Sequence, residues 1–155
     1  MILFAYQIIR YTNYIEKEKN GDEIMQINAA EIQSKLDCQP PLLLLDQVTA
    51  LEHDQQIVAQ KSVSANESYF QGHFPNNPVM PGVLEIESMV EAAKLMWDEP
   101  DLILTQVKRG RLREMVKPGM QLTIKVTAKE KYSCQAEVLI ADKKACTADL
   151  KFKAE

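Results

Sequence analysis

Two residues of this chain could carry acid–base chemistry. His73 lies among aromatic residues in the stretch 69–75, and Glu87 follows it fourteen residues later. An imidazole can remove a proton near neutral pH, and a carboxyl group can donate one. Between them, Gly82 and Val83 stand where a helix begins, so their backbone N–H groups could stabilise negative charge. Alone, such a histidine is more often a core residue and such a glutamate a solvated one, but together they form a candidate site.

A single long helix is expected to position this site. The residues after Pro81 follow a 3.6-residue apolar period, whereas the prolines at 75, 78 and 81 predict a stiff, irregular entry loop. The predicted core face consists of Val83, Ile86, Met89, Val90, Ala93, Met96 and Trp97. Glu87 lies about 110° from the centre of that face on a helical wheel, at its edge.

The remainder of the core region alternates with a period of two, which is typical of strands with one buried face. An apolar run at 42–51 and the stretch 56–63 predict a hairpin with its turn at 52–55. Later alternations at 120–127, 134–140 and 146–152 predict a meander, and 102–115 supplies one more strand. Strands on both sides of one helix predict an α+β fold, an antiparallel sheet around a central helix.

Composition excludes several classes of protein. The 155 residues are 46% hydrophobic with a net charge of −4, which fits one globular domain and provides no basic surface for nucleic acid. The chain has no apolar stretch of the ~20 residues that span a bilayer. The three cysteines form no metal or disulfide pattern, so they are interpreted as small core residues of a reduced, cytoplasmic protein.

The first 27 residues are interpreted as an extension that precedes a core domain at 28–155. Asn28 and Glu31 have the spacing of a capping box at the start of a helix. Met25 immediately precedes this signal, so one hypothesis makes Met25 the true start. The alternative is an extra apolar helix that packs on the domain or on a partner subunit.

The run from Phe70 to Met89, FQGHFPNNPVMPGVLEIESM, resembles the signature of the FabZ-type 3-hydroxyacyl-acyl carrier protein dehydratases. The likeness extends through most of residues 28–155, including LLLLD at 42–46 and VKPG at 116–119. Members of that family have the hotdog fold, in which an antiparallel sheet wraps around one long helix. The resemblance therefore implies the architecture that the periodicity also predicts.

The resemblance implies dehydration of (3R)-3-hydroxyacyl-acyl carrier protein to the trans-2-enoyl thioester, in the synthesis of fatty acids or related acyl chains. His73 would remove the α-proton, and Glu87 would protonate the leaving hydroxyl group or orient a water that does. The amides of Gly82 and Val83 would bind the thioester carbonyl. The implied lining of the acyl tunnel is Tyr69, Phe70, Phe74 and Met80. No metal or redox cofactor is expected, since the substrate arrives on phosphopantetheine.

The expected partners are acyl carrier protein and a second copy of the chain. In the family, each site takes its histidine from one subunit and its carboxylate from the other, and trimers of such dimers are common. A weaker prediction places an acidic carrier on a basic cluster, the alternative being a solvated strand face. The cluster consists of Lys108, Arg109, Arg111 and Arg113, with Lys117 nearby.

Departures from the family pattern keep other functions open. Asn76 stands where the family has glycine, and Val90 and Glu91 stand where it has a small residue and glutamine. The entry at 38–42 also differs. The other hypotheses are another hotdog thioester enzyme, either a dehydratase that isomerises the double bond or a thioesterase, and a non-catalytic subunit that binds acyl carrier protein. Chain-length preference and pathway cannot be inferred from the residues.

Overall fold

The computed structural model of the protein describes residues 25–155. Most of the predicted extension, and with it the choice between its two interpretations, lies outside these residues. The described chain enters the domain at Ile27, which is buried and pairs with Val48. The described sheet therefore includes Ile27, one residue before the expected domain boundary at 28.

The first helix, α1 (Ala29–Leu36), starts at the predicted capping box. The Glu31 N–H donates to Asn28 Oδ1 at 3.1 Å, and the Asn28 N–H donates to Glu31 Oε2 at 3.0 Å. These two bonds satisfy N–H groups that the helix itself leaves unpaired, a contribution of about 1 kcal/mol. Ile32 anchors the helix because its side chain is fully buried.

Within the described residues, one antiparallel sheet of seven strands provides most of the core. Its strands are β1 (Ile27–Asn28), β2 (Gln47–Glu52), β3 (Gln56–Ser62), β4 (Ile103–Leu112), β5 (Gln121–Glu130), β6 (Ser133–Ile140) and β7 (Lys143–Lys153). They lie in the order β1-β2-β3-β5-β6-β7-β4. The hairpin, the meander and the additional strand all overlap the stretches that the sequence predicts for them.

The long helix α2 (Gly82–Trp97) packs against one face of the sheet, where it contacts β3, β5, β6 and β7. Residues that alternate inward from the strands cover it, such as Ile57, Ile124 and Leu150, all at most 1% exposed. Removing one such side chain to alanine costs typically 2–5 kcal/mol. This α+β arrangement is the hotdog fold that the sequence predicts.

Two expectations about these elements are wrong in part. The apolar run at 42–51 becomes a strand only from Gln47, because the amides of Leu44 and Leu45 bind a side chain of α2 instead of a neighbouring strand. Val83, expected on the core face of α2, is 70% exposed. This side chain lies on the part of the first turn that the described sheet leaves open to solvent.

Strand β4 forms one end of the sheet and pairs only with β7 among the described strands. Its register is interrupted between Lys108 and Arg111, where Arg109 has a positive φ of 52°. Several large apolar side chains along and beside this edge are exposed, namely Ile103, Val107, Leu112 and Met115. A free edge strand with exposed apolar side chains is typical of a surface that pairs with another chain.

Candidate active site

The loop between β3 and α2 holds His73 through three short hydrogen bonds. A 3₁₀ turn, Ser68–Gln71, leads into it, and the His73 N–H donates to the carbonyl of Tyr69 at 3.0 Å. The Val79 N–H donates to the carbonyl of His73 at 2.9 Å. The imidazole completes the arrangement, with Nδ1 2.7 Å from the Val79 carbonyl oxygen. Backbone and ring are thus both fixed by residues of the same loop.

The bond to Val79 determines the tautomer of the neutral ring. A carbonyl oxygen can only accept, so the proton lies on Nδ1 and the lone pair on Nε2. The ring stacks on Phe74, with centroids 4.3 Å apart and an interplanar angle of 29°. His73 is half-buried. Its Nε2 is consequently the nitrogen available as a general base.

Glu87 lies at the exposed edge of α2, as the helical wheel predicts. Within residues 25–155, its carboxylate forms no hydrogen bond or ion pair, and no such contact links it to His73 of the same chain. The carboxylate is therefore available to a group outside the described chain, such as a substrate or a second subunit.

The start of α2 presents backbone N–H groups beside the loop. Pro81 is the N-cap, and the Leu84 N–H donates to the Pro81 carbonyl at 2.9 Å, so the amides of Gly82 and Val83 precede the helical hydrogen bonds. Gly82 packs on the end of the Leu112 side chain, which a Cβ at this position would displace. The helix dipole makes this end partly positive, which suits a carbonyl oxygen that gains negative charge.

The four residues expected in the acyl tunnel occupy different environments. Phe70 and Met80 belong to the core at 8% and 1% exposure. Phe74 is 55% exposed and supports the imidazole. The half-buried Tyr69 packs edge-on against Phe70, and burial raises the pKa of its hydroxyl group. A lining role for these side chains stays a prediction.

Two buried glutamates lie on α2 on either side of Glu87. Glu85 is 2% exposed, its Oε2 has no hydrogen-bond partner, and burial raises its pKa to about 7. Glu91 is 4% exposed, and both of its oxygens accept from backbone amides of the 37–46 loop. Helical periodicity places both residues off the apolar face, so it did not indicate their burial. Only the departure from the family's glutamine singled out Glu91.

The cysteines divide into two groups. Cys134 and Cys146 are fully buried as expected, and burial raises their pKa values to about 12 and about 11. Cys38 was also expected in the core, but it is only half-buried and lies in the loop after α1. Burial, followed by the charges of Glu91 and Glu87, raises the pKa of its thiol. This places Cys38 near both carboxylates.

The basic cluster forms part of a shallow cleft of about 260 Å³ on the outer face of the sheet. Arg109, Arg111 and Arg113 all line it, as the alternation indicates. Arg109 is bound to Asp149, which Lys129 also contacts at 3.0 Å. Arg111 and Arg113 are exposed and have no ion-pair partner among the described residues. Lys108 lies outside the cleft lining.

Comparison with known proteins identifies the group to which this fold and loop belong. The sequence model of the FabA-like domain matches residues 38–152, a span that includes the His73 loop and the whole of α2. The chain belongs to the FabA-like domain family. This FabA-like protein is 38% identical over 138 residues to FabZ of Lactobacillus helveticus, covering 81% of this chain and 92% of that one. It is 39% identical over 136 residues to FabZ of Oenococcus oeni, covering 81% and 98%.

Solved structures show the same fold. The dehydratase heterocomplex ApeI:P from Xenorhabdus doucetiae superposes on the FabA-like chain with a TM-score of 0.59 at 20% identity. That match covers 68% of this chain and 95% of the other. Among residues 25–155, no helix is long and apolar enough to cross a membrane, and no three or more His, Cys, Asp or Glu side chains cluster as metal ligands.

Proposed function

We propose that this protein dehydrates (3R)-3-hydroxyacyl thioesters of acyl carrier protein to trans-2-enoyl thioesters, in the synthesis of fatty acids or related acyl chains. The relatives at 38% and 39% identity are 3-hydroxyacyl-[acyl-carrier-protein] dehydratases, and this chain spans nearly their whole length. The observation that carries the assignment to residues is the hydrogen bond between His73 Nδ1 and the Val79 carbonyl. It makes Nε2 a base in the loop that precedes α2.

The first step removes a proton from the carbon next to the thioester carbonyl. Nε2 of His73 takes that proton, and the electron pair moves toward the thioester oxygen. The N–H of Gly82 or Val83, at the positive end of α2, stabilises the oxygen as its charge grows. Backbone donors suit this role because they are already oriented before the reaction and need no reorganisation.

The second step breaks the bond between C3 and its hydroxyl oxygen. The electron pair from the α-carbon forms the C2–C3 double bond, and the hydroxyl group leaves as water with a proton from Glu87 or from a water that Glu87 orients. His73 then releases its proton to solvent and Glu87 takes one up, which restores both residues. The dehydration involves no net oxidation or reduction, so the proposal assigns no redox cofactor, and the residues named above take the acid, base and carbonyl-binding roles without a metal.

A dimer with shared sites accounts for the separation of the two catalytic residues. Glu87 has no polar partner in its own described chain, and Val83, Leu112 and Phe74 are exposed at 70%, 61% and 55%. A second copy that packs on this face would cover those side chains and bring its Glu87 to the His73 of the first. The free edge of β4 supports this arrangement. A trimer of such dimers is compatible with it.

Arg111 and Arg113 are the part of the basic cluster that we assign to docking of the carrier protein. Arg109 already neutralises Asp149, whereas the other two arginines remain open to an acidic partner. Complementary charge of this kind mainly accelerates encounter and fixes orientation. The proposal places the enzyme in the cytoplasm, with its substrate delivered by a soluble carrier.

The assignment is tested by turnover of a (3R)-3-hydroxyacyl thioester, on acyl carrier protein and on a short pantetheine mimic, with double-bond position determined by mass spectrometry. A trans-2-enoyl product supports it. An isomerised product or release of free acid would instead indicate one of the other hotdog activities. Binding of carrier protein without any turnover would indicate a non-catalytic subunit.

A further inference from the structure

Glu91 is a buried carboxyl group with a defined set of hydrogen bonds. It lies one turn after Glu87 on α2. The Leu44 N–H donates to Oε1 at 3.0 Å and to Oε2 at 3.1 Å, and the Leu45 N–H donates to Oε2 at 3.0 Å. Leu44 and Leu45 are each 2% exposed. These bonds replace the strand pairing that the sequence predicts for this stretch, so Glu91 fastens the 37–46 loop to the catalytic helix.

Charged or titratable groups from three elements lie near this carboxyl group. Lys61 on β3 is 4% exposed and lowers the pKa of Glu91, although its ammonium group is bound to Glu67 at 2.8 Å. Glu87 on the same helix raises that pKa, and the Cys38 thiol of the loop lies near both carboxylates. Burial is the largest effect and raises the pKa of Glu91 to about 7. The residue therefore changes charge near neutral pH.

The two charge states of Glu91 have different consequences for the loop. The carboxylate can accept from both amides at once, and bonds to an ionised acceptor are about twice as strong as neutral ones. Protonation turns one oxygen into a donor that faces buried N–H groups, which weakens the attachment of Leu44 and Leu45. Loss of the charge therefore loosens the contact between loop and helix.

We propose that Glu91 is a positioning residue of the dehydration site: when ionised, it holds the 37–46 loop on α2. The inference rests on the proposed function, because the helix to which the loop is held carries Glu87, the proposed acid. It adds a residue that extends activity toward alkaline pH without contact to substrate.

The test compares the pH profiles of kcat/KM for the wild type and for Glu91→Gln, which cannot ionise and resembles the protonated form. His73 and Glu87 are present in both proteins, so the ratio of the two profiles isolates the effect of Glu91. We expect kcat/KM of the wild type divided by that of Glu91→Gln to be near one at about pH 6. The ratio should rise to about fivefold at pH 8.5, mainly through kcat. A ratio that stays flat across this range overturns the proposal.

Glu85→Gln is the matched control, because Glu85 is also a buried glutamate of α2 with a pKa of about 7 but does not bind the 37–46 loop. Its ratio to the wild type is expected to stay flat. A rise of equal size in this control would assign the effect to any buried charge on α2 and would also overturn the proposal.

A second measurement requires no activity. In ¹H–¹⁵N spectra of the wild type, the amide signals of Leu44 and Leu45 should titrate together with a midpoint near pH 7, and in Glu91→Gln they should not. If these amides titrate as expected but no thioester is turned over, the proposed function fails while the attachment of the loop stands. If the amides do not respond to pH in the wild type, the role of Glu91 is refuted whatever the activity.

Discussion

Nδ1 of His73 lies 2.7 Å from the carbonyl oxygen of Val79, three residues before α2 begins at Gly82. Because a backbone carbonyl cannot donate, the bond keeps the imidazole proton on Nδ1 and leaves the lone pair on Nε2. The partner is a main-chain atom, so the tautomer does not depend on any side chain. The account of proton removal rests on this contact.

Complementation between two inactive variants tests the shared site. His73→Ala and Glu87→Gln each inactivate both sites of their own dimer, whereas a mixed dimer would contain one site with both residues intact. After subunit exchange, we expect about a quarter of wild-type activity, since half of the dimers are mixed and each has one working site.

Exchange itself must be verified, for example by native mass spectrometry of differently tagged variants. The unmixed variants, exchanged with themselves, provide the baseline. Mixed dimers that form and remain as inactive as this baseline would show that both residues serve the same subunit.

If the carrier protein docks on Arg111 and Arg113, replacing these residues should impair turnover of the carrier-bound substrate but not of a pantetheine mimic. Replacing Arg111 and Arg113 together by alanine should raise KM for the carrier-bound substrate about tenfold and weaken its salt dependence, because two unpaired cations are lost. KM for a pantetheine mimic should not change. Lys125→Ala, on β5 and outside this cleft, is the matched control. Equal effects on both substrates would argue against docking at this surface.

The buried carboxyl group of Glu85 should make the stability of the fold depend on pH. Its pKa is raised from 4.5 to about 7 by burial, so the folded state binds a proton more tightly than the unfolded chain. The penalty for ionising it is absent below about pH 4.5 and complete above about pH 7, so stability falls as pH rises through this window. Glu85→Met should therefore raise the free energy of unfolding by about 2 kcal/mol at pH 8 and by much less at pH 5.

Urea unfolding of both proteins at the two pH values measures this difference. Glu91 titrates in the same range but is common to both proteins, so its contribution cancels. If Glu85→Met raised the free energy of unfolding equally at pH 5 and pH 8, the difference between the two proteins would come from packing and not from the buried charge.

Local patterns in the sequence were sufficient to predict most of the fold. The period-two runs predicted β3 and the meander, because most side chains of these strands alternate between buried and more exposed positions. β4 lies in the stretch predicted as one more strand, although it is exposed along almost its whole length. The spacing of Asn28 and Glu31 gave the start of α1, since a capping box involves only residues three apart. The exposed position of Glu87 followed from helical geometry alone.

Features that depend on distant contacts could not be predicted in this way. Glu91 is buried because its carboxylate accepts hydrogen bonds from backbone amides 46 and 47 residues earlier in the chain. Since these amides are bound to Glu91, β2 begins only at Gln47. Glu85 is buried although a polar side chain normally indicates a solvated position. Val83 was expected in the core, but it lies on the part of the first turn of α2 that the described sheet leaves exposed. Tertiary packing determines each of these positions.

Turnover of a (3R)-3-hydroxyacyl-acyl carrier protein by the wild type, His73→Ala and Glu87→Gln shows whether these two residues carry out the dehydration. His53→Ala is the control, because His53 is the other histidine and lies exposed in the turn between β2 and β3. We expect the wild type to form a trans-2-enoyl product. The rate of its formation should fall at least about a hundredfold in His73→Ala and in Glu87→Gln and stay unchanged in His53→Ala. Wild-type rates in His73→Ala or Glu87→Gln would contradict it.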